Sequence, residues 1–195
     1  RNFMKKKKIE ICSVIPARSG SKTIKNKNIL KINNFPIMSY SIYASKKSKL
    51  INKTLFTSDS KKYIRIAKRF RPDFLHLRSK KNSSDKATDL DFLKEVKKYL
   101  IKEFNYKPDL FVLLRANTPT RNVKDIDNAI KIFLRNKSKY TGLRSVTLMS
   151  ETSYKTFYIK NKKLAGVMKK SFDIDNLNLP KEKSFFELEP YKLSF

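Results

Sequence analysis

Tryptophan is absent from this chain of 195 residues, and cysteine and histidine occur once each. A single thiol, Cys12, excludes an internal disulfide and any cysteine-rich metal centre. It falls inside an apolar run and reads as a small buried residue. The one imidazole, His76, leaves a Ser-His-Asp relay a single place to stand, and no nucleophile-elbow sequence accompanies it. His76 sits in the alternating run Asp73-Phe74-Leu75-His76-Leu77-Arg78, the pattern of a strand, and reads as structural. Glycine occurs only 3 times. Gly20 stands alone after the first apolar run, so the Gly-x-Gly-x-x-Gly dinucleotide fingerprint is absent, and the Walker spacing is missing too. No apolar stretch approaches the roughly 18 residues of a membrane-spanning helix. Lys5 to Lys8 followed by Ile9 to Ile15 imitates a signal peptide, but the apolar part is short and contains Glu10. The expected location is therefore the cytoplasm, with no membrane partner. Arg1 is no natural start and Met4 could be one, so the chain is expected to begin inside a longer sequence.

Acidic residues are also few, 17 against 46 Lys and Arg, for a net charge of +29. Such a charge attracts polyanions in a salt-dependent way. Its make-up, however, is 36 Lys to 10 Arg in a chain rich in Asn and Ile. Arg is the usual reader of base edges, and a Lys-Asn-Ile bias is what AT-rich codons produce. Phe and Tyr fall mostly at core-facing positions and are not interleaved with cations on one surface, as single-strand binding would need. A basic nucleic-acid-binding protein is kept as an alternative, and no specific nucleic-acid partner is expected.

What is present is concentrated in residues 15–29, Ile-Pro-Ala-Arg-Ser-Gly-Ser-Lys-Thr-Ile-Lys-Asn-Lys-Asn-Ile. An apolar run stops at Pro16, and a loop of small residues follows with Arg18, Gly20, Ser21, Lys22, Lys25 and Lys27. Small side chains let backbone N–H groups approach phosphate oxygens, and spaced cations neutralise them. Lys25 reads as a solvated cation.

The rest of the chain alternates strands and helices. Lys8 to Ile15 predicts a first strand, Ile37 to Lys47 a helix, Lys53 to Thr57 a second strand. Ser60 to Phe70 predicts a helix with Ile64, Ala67 and Phe70 inward and Ser58 or Asp59 as its cap. Phe74 to Leu77 and Asp109 to Leu114 predict further strands. Between them Asp89 caps a helix carrying Leu93, Val96, Leu100 and Phe104 inward. A helix with Val123, Ile126, Ile130 and Phe133 inward follows, then a strand over Val146 to Met149. This order implies parallel crossover units in an α/β domain of three layers, with a mostly parallel sheet, over residues 1–150. Ligands bind such sheets beyond the carboxyl ends of the strands. The loops after Ile15, Thr57, Leu77 and Leu114 all lie there. Residues 151–195 predict a β-hairpin, Tyr154 to Tyr158 with Leu164 to Met168, and an irregular tail with Phe185, Phe186 and Phe195.

Residues 15–29 resemble the N-terminal signature of the CMP-sialic acid synthetase (acylneuraminate cytidylyltransferase) family, roughly Ile-Pro-Ala-Arg-x-Gly-Ser-Lys-x-Ile-x-x-Lys-Asn-Ile. The resemblance continues in Phe56-Thr57-Ser58-Asp59, in Arg78 with Ser84-Asp85-Lys86-Ala87, and in Leu113 to Arg121 with Asp125-Ile126-Asp127. It covers about residues 9–150. It implies a Rossmann-like nucleotide-diphospho-sugar transferase fold, CTP and an acidic keto-sugar as substrates, pyrophosphate release, Mg²⁺, and a homodimer built on the hairpin extension. Another sugar nucleotidyltransferase on the same fold is the nearest alternative. The resemblance makes Arg18, Lys22 and Lys27 the phosphate-facing catalytic cations. Ala17, Ser21, Asn28, Arg78 and Ala87 then hold the nucleotide, with Arg78 and the backbone at Ala87 reading cytosine. Arg115, Asn117 and Thr118 face the sugar. The family there carries Gln-Pro-Thr-Ser-Pro-Leu-Arg, so Arg115 replaces a neutral amide with a cationic fork that suits a carboxylate. The family's metal-binding aspartate pair is expected beyond Phe195. Asp173 and Asp175 precede its place and read as turn residues.

Overall fold

The computed structural model describes residues 8–21, 24–84 and 87–146, together with two strands at 157–160 and 163–166. Four parallel strands form the central sheet: β1 (Ile11–Pro16), β4 (Lys53–Ser58), β5 (Phe74–Leu77) and β6 (Leu110–Leu113), in the order β5-β4-β1-β6. A two-stranded antiparallel ribbon, β2 (Lys31–Ile32) and β3 (Phe35–Pro36), lies between β1 and the first helix in sequence. The helices are α1 (Ile37–Lys47), α2 (Lys61–Lys68), α3 (Asp89–Phe104) and α4 (Val123–Asn136). β7 (Phe157–Lys160) pairs antiparallel with β8 (Lys163–Gly166), so a hairpin is present, with its strands shifted toward the turn from the expected limits; residues 154–156 and 167–168 lie outside the described residues. By internal contacts the chain divides into two units, residues 1–127 and 128–195.

Successive side chains of β1 point to opposite faces, and the two faces receive different partners. Cys12 and Val14 join Leu55 and Phe74 in an apolar cluster with Phe92, Val96 and Leu100 of α3. Ser13 points the other way and hydrogen-bonds Ser45 of α1. Ser45 in turn bonds Thr54 of β4 at 2.6 Å. Helices on both faces of a parallel sheet give the three layers predicted. Burial pushes the Cys12 thiol up to about 12, with Asp73 adding to the effect, so this cysteine stays an inert thiol at neutral pH. His76 is buried, with Nδ1 2.9 Å from the Thr57 hydroxyl, and is structural as read.

Several local expectations are corrected. The ribbon β2–β3 was not anticipated. Its turn, Asn33-Asn34, has both φ angles positive (47° and 66°), the left-handed pair that a tight hairpin needs and that Asn tolerates. Ser60 caps α2, accepting from the Tyr63 N–H, in place of Ser58 or Asp59. Tyr63 and Ala67 are the deeply buried residues of that helix, with Ile64 and Phe70 only partly covered. Thr88 caps α3 through a reciprocal box with Asp91, so Asp89 is the first helical residue and not the cap. Val146 lies outside any strand, and residues 147–149 of that expected strand lie outside the described residues.

Candidate active site

The carboxyl ends of β1, β4, β5 and β6 bring the sequence motifs to one edge of the sheet. After Pro16 the chain keeps its bonding to β4 for one more residue. Ala17 donates its N–H to the Thr57 carbonyl at 2.9 Å and accepts from Ser58 Oγ at 2.7 Å. Ser19 donates its N–H and its hydroxyl to the two carboxylate oxygens of Asp59, at 2.8 and 2.9 Å. The Ser21 N–H closes a turn onto the Ser19 carbonyl. The Arg18 side chain is exposed, and its carbonyl accepts from Asn28 Nδ2 at 3.0 Å. Asn28 is buried in a single 3-10 turn, Lys27–Ile29, that follows Asn26 in a left-handed conformation. Lys27 is half-buried and Lys25 exposed. Lys22 lies outside the described residues, as do Asp85 and Lys86.

Arg78 directly follows β5, its N–H bonded to the Ser58 carbonyl at 2.8 Å. The residue is only 8% exposed, and its guanidinium lies 4.3 Å from the centre of the Phe92 ring. Its Nε and Nη2 are buried and have no partner among the described residues. Burial pulls the guanidinium below its ordinary pKa; Asp59, Glu95 and Asp89 oppose this by attraction, and Arg18 adds to it by repulsion. Buried N–H donors left unmatched cost about 1–3 kcal/mol each, so a ligand acceptor arriving there recovers much of that cost. The loop after Arg78 is gathered by Glu95, which accepts from the Ser79 N–H and hydroxyl at 2.8 Å each and from Asn82. His76 Nε2 is 3.5 Å from the same carboxylate. The Ala87 N–H is engaged by the Ser84 carbonyl at 3.2 Å.

After β6, Arg115 projects outward and pairs with Asp89 at the start of α3. Its carbonyl accepts from Ser41 Oγ at 3.0 Å and from Arg121 Nη2 at 2.8 Å. Asn117 and Thr118 are exposed on the same loop. Arg121 was read only as part of the motif. It is half-buried, burial lowers its pKa, and its Nε has no partner among the described residues. Asp59, Glu95 and Phe92 were likewise not read as site residues, although the Thr-Ser-Asp motif marked the first of them. A cavity of about 360 Å³ lined by Ser39, Tyr43, Lys46, Lys47 and Phe70 involves none of these residues.

Among the described residues, no group of three or more His, Cys, Asp or Glu side chains could hold a metal ion. Asp59 is bonded to Ser19, and Asp89 pairs with Arg115. No helix among the described residues is long and apolar enough to cross a membrane.

Comparison with known proteins places relatives of this chain among the cytidylyltransferases. The chain is 35% identical over 144 residues to the N-acylneuraminate cytidylyltransferase of Escherichia coli O18:K1:H7, covering 74% of the chain and 33% of that protein. It is 34% identical over 151 residues to a Helicobacter pylori pseudaminic acid cytidylyltransferase and UDP-2,4-diacetamido-2,4,6-trideoxy-beta-L-altropyranose hydrolase, covering 76% and 28%. The chain thus spans about a third of the length of these relatives. In fold it is similar to a CMP:2-keto-3-deoxy-manno-octonic acid synthetase complexed with CTP. That likeness has a TM-score of 0.57 and 18% identity, over 67% of this chain and 50% of that one. A cytidylyltransferase from Leptospira borgpetersenii superimposes with a TM-score of 0.54 at 23% identity, over 69% and 53%. The cytidylyltransferase family model matches residues 12–183, and with the sheet edge just described this establishes that the chain belongs to the cytidylyltransferase family.

Proposed function

We propose that this chain carries the nucleotide site of an enzyme that transfers CMP from CTP to an acidic keto-sugar of the nonulosonate class, releasing pyrophosphate. The observation that carries the reading is Arg78. It is a buried guanidinium with unmatched N–H groups, stacked on Phe92 and beside a loop of spaced cations. Cytosine presents a carbonyl and a ring nitrogen as acceptors, which suits those donors, and the Phe92 ring holds the guanidinium in place. The relatives' names support the sugar class, since they specify acylneuraminate and pseudaminic acid.

In this reaction the anomeric oxygen of the sugar bonds to the α-phosphorus of CTP. The bond from that phosphorus to the pyrophosphate oxygen breaks, and the sugar hydroxyl gives up its proton. The difficulty is charge, because a triphosphate and a carboxylate must approach one another. Positioning and cationic stabilisation therefore do most of the work. Arg18, Lys22 and Lys27 are assigned to the phosphates. Ala17, Ser21, Asn28 and Ala87 shape the nucleotide site with Arg78, and Asn28 does so by bracing the Arg18 carbonyl. Arg115, Asn117 and Thr118 are assigned to the sugar end. Mg²⁺, when bound, would neutralise part of the charge on the triphosphate. A homodimer built on residues 151–195 and a cytoplasmic location complete the reading, and light scattering measures the former directly.

Calorimetric titration with CTP, UTP, ATP and GTP tests the proposal. CTP is expected to bind most tightly. Equal affinities would mean that only the phosphates are recognised.

A further inference from the structure

A carboxylate beside a triphosphate site is electrostatically unfavourable, since like charges repel most strongly where water is partly excluded. Asp59 is such a carboxylate. It does not cap the helix it precedes, because Ser60 does. Both of its oxygens instead grip one residue, Ser19, forty positions earlier in the chain. The neighbouring bonds, Ala17 N–H to the Thr57 carbonyl and Ser58 Oγ to the Ala17 carbonyl, fix the backbone on the near side of that grip. Ser58 also accepts the Arg78 N–H through its own carbonyl. The end of β4 therefore stands between the cationic loop and the buried arginine, and touches both.

We propose that Asp59 is a positioning residue that sets the cationic loop for the triphosphate and holds it in fixed relation to Arg78; this rests on the nucleotide-site reading above. By taking the N–H and hydroxyl of Ser19, Asp59 turns those donors inward and fixes the direction in which Arg18 and the Gly20–Ser21 backbone leave the sheet. Its charge attracts the Arg78 guanidinium from the same place. Asparagine can reproduce the hydrogen bonds, since Oδ1 accepts the Ser19 N–H and Nδ2 donates to Ser19 Oγ, but it carries no charge. Alanine reproduces neither. The two substitutions therefore separate geometry from charge.

The experiment is calorimetric titration of the full chain with CTP and, separately, with inorganic triphosphate, for the unaltered protein, Asp59→Asn and Asp59→Ala, alongside thermal melts. Asp59→Ala is expected to weaken both ligands by about 10-fold, the equivalent of one or two hydrogen bonds. Asp59→Asn is expected to bind triphosphate as tightly as the unaltered protein or more so, because the geometry stays and a repelling charge is gone. A merely structural role would give losses that follow the melting temperature, without rescue by asparagine. Unaltered affinity in Asp59→Ala, or equal losses in both variants, overturns the proposal. Should Asp59→Ala not fold, Ser19→Ala removes one of the two bonds, and undiminished triphosphate affinity in that variant overturns it as well. The triphosphate arm does not involve cytosine, so a failure of CTP preference counts against the function reading and leaves the result on Asp59 to stand separately.

Discussion

The loop after β1 and the loop after β6 leave adjacent strands at the same edge of the sheet, yet they are held in opposite ways. The first is laced inward: Ala17 and Ser19 are bonded to Thr57, Ser58 and Asp59. The second is braced through the Arg115 carbonyl, while its most prominent side chain, Arg115, lies outward against Asp89. The Arg115 and Asp89 side chains are 52% and 39% exposed, where an ion pair contributes about 0–1 kcal/mol. The half assigned to the nucleotide is thus prepared in advance, and the half assigned to the sugar is left adjustable. The triphosphate is common to every reaction of this kind, whereas the acidic sugar is what varies among the named relatives.

The largest effect that would sharpen this contrast lies on the prepared side. Lys27→Ala is expected to lower turnover by about 10²-fold or more, the usual consequence of removing one electrostatic group that acts in the transition state. CTP affinity should change far less. Steady-state pyrophosphate release with a nonulosonate acceptor measures it, and an unchanged kcat would remove Lys27 from the mechanism. Next in size is Arg78→Ala, expected to cost about 30-fold in CTP affinity, or about 2 kcal/mol for a charged hydrogen bond. Preference for CTP over UTP should shrink with it; calorimetry that shows the preference intact would put base recognition elsewhere.

How much of this was readable beforehand differs between the two kinds of structure. Buried parallel strands announce themselves as apolar runs, and β5 came out at its predicted limits, Phe74–Leu77. The helix caps did not, because Ser, Thr and Asp cluster before α2 and α3 and each can serve. Ser60 and Thr88 won in the structure, which released Asp59 and Asp89 to bond Ser19 and Arg115. Those long-range partners leave no local signal; the Thr-Ser-Asp motif marked Asp59 without showing that it bonds Ser19. The ribbon β2–β3 was overlooked because two residues per strand give no periodicity, although Asn33-Asn34 was a fair turn signal.

A smaller effect concerns the support beneath Arg78. Burial lowers the pKa of His76; the attraction of Glu95 opposes that and the repulsion of Arg78 adds to it. A depressed pKa in the folded state means that the unfolded chain takes up the proton first as pH falls. Stability is therefore expected to be full above about pH 6.5 and to decline below it. Glu95 behaves alike at lower pH. Its own burial raises its pKa, but the Ser79 and Asn82 hydrogen bonds and His76 outweigh that and hold it below the usual carboxylate range. Its contribution is present above about pH 4.3 and lost beneath. Thermal melts from pH 7.5 to 4 read both, and His76→Gln should flatten the upper part of the curve. An equal slope in that variant would place the acid sensitivity in other groups.

The smallest expected effect tests the adjustable side. Asp89→Asn should change stability by less than about 1 kcal/mol, as exposed pairs do. A larger loss in denaturant titration would show the loop after β6 to be as firmly built as its neighbour, and the contrast between them would fall.

The buried hydroxyls Ser13, Ser45 and Thr54 tie β1, α1 and β4 into one chain of hydrogen bonds. Replacing one of them strands its neighbour's polar atom without water, while replacing all three by apolar residues of like size leaves nothing unmatched. The three positions therefore act as one unit: changing a single one to an apolar residue costs more per position than changing all three together.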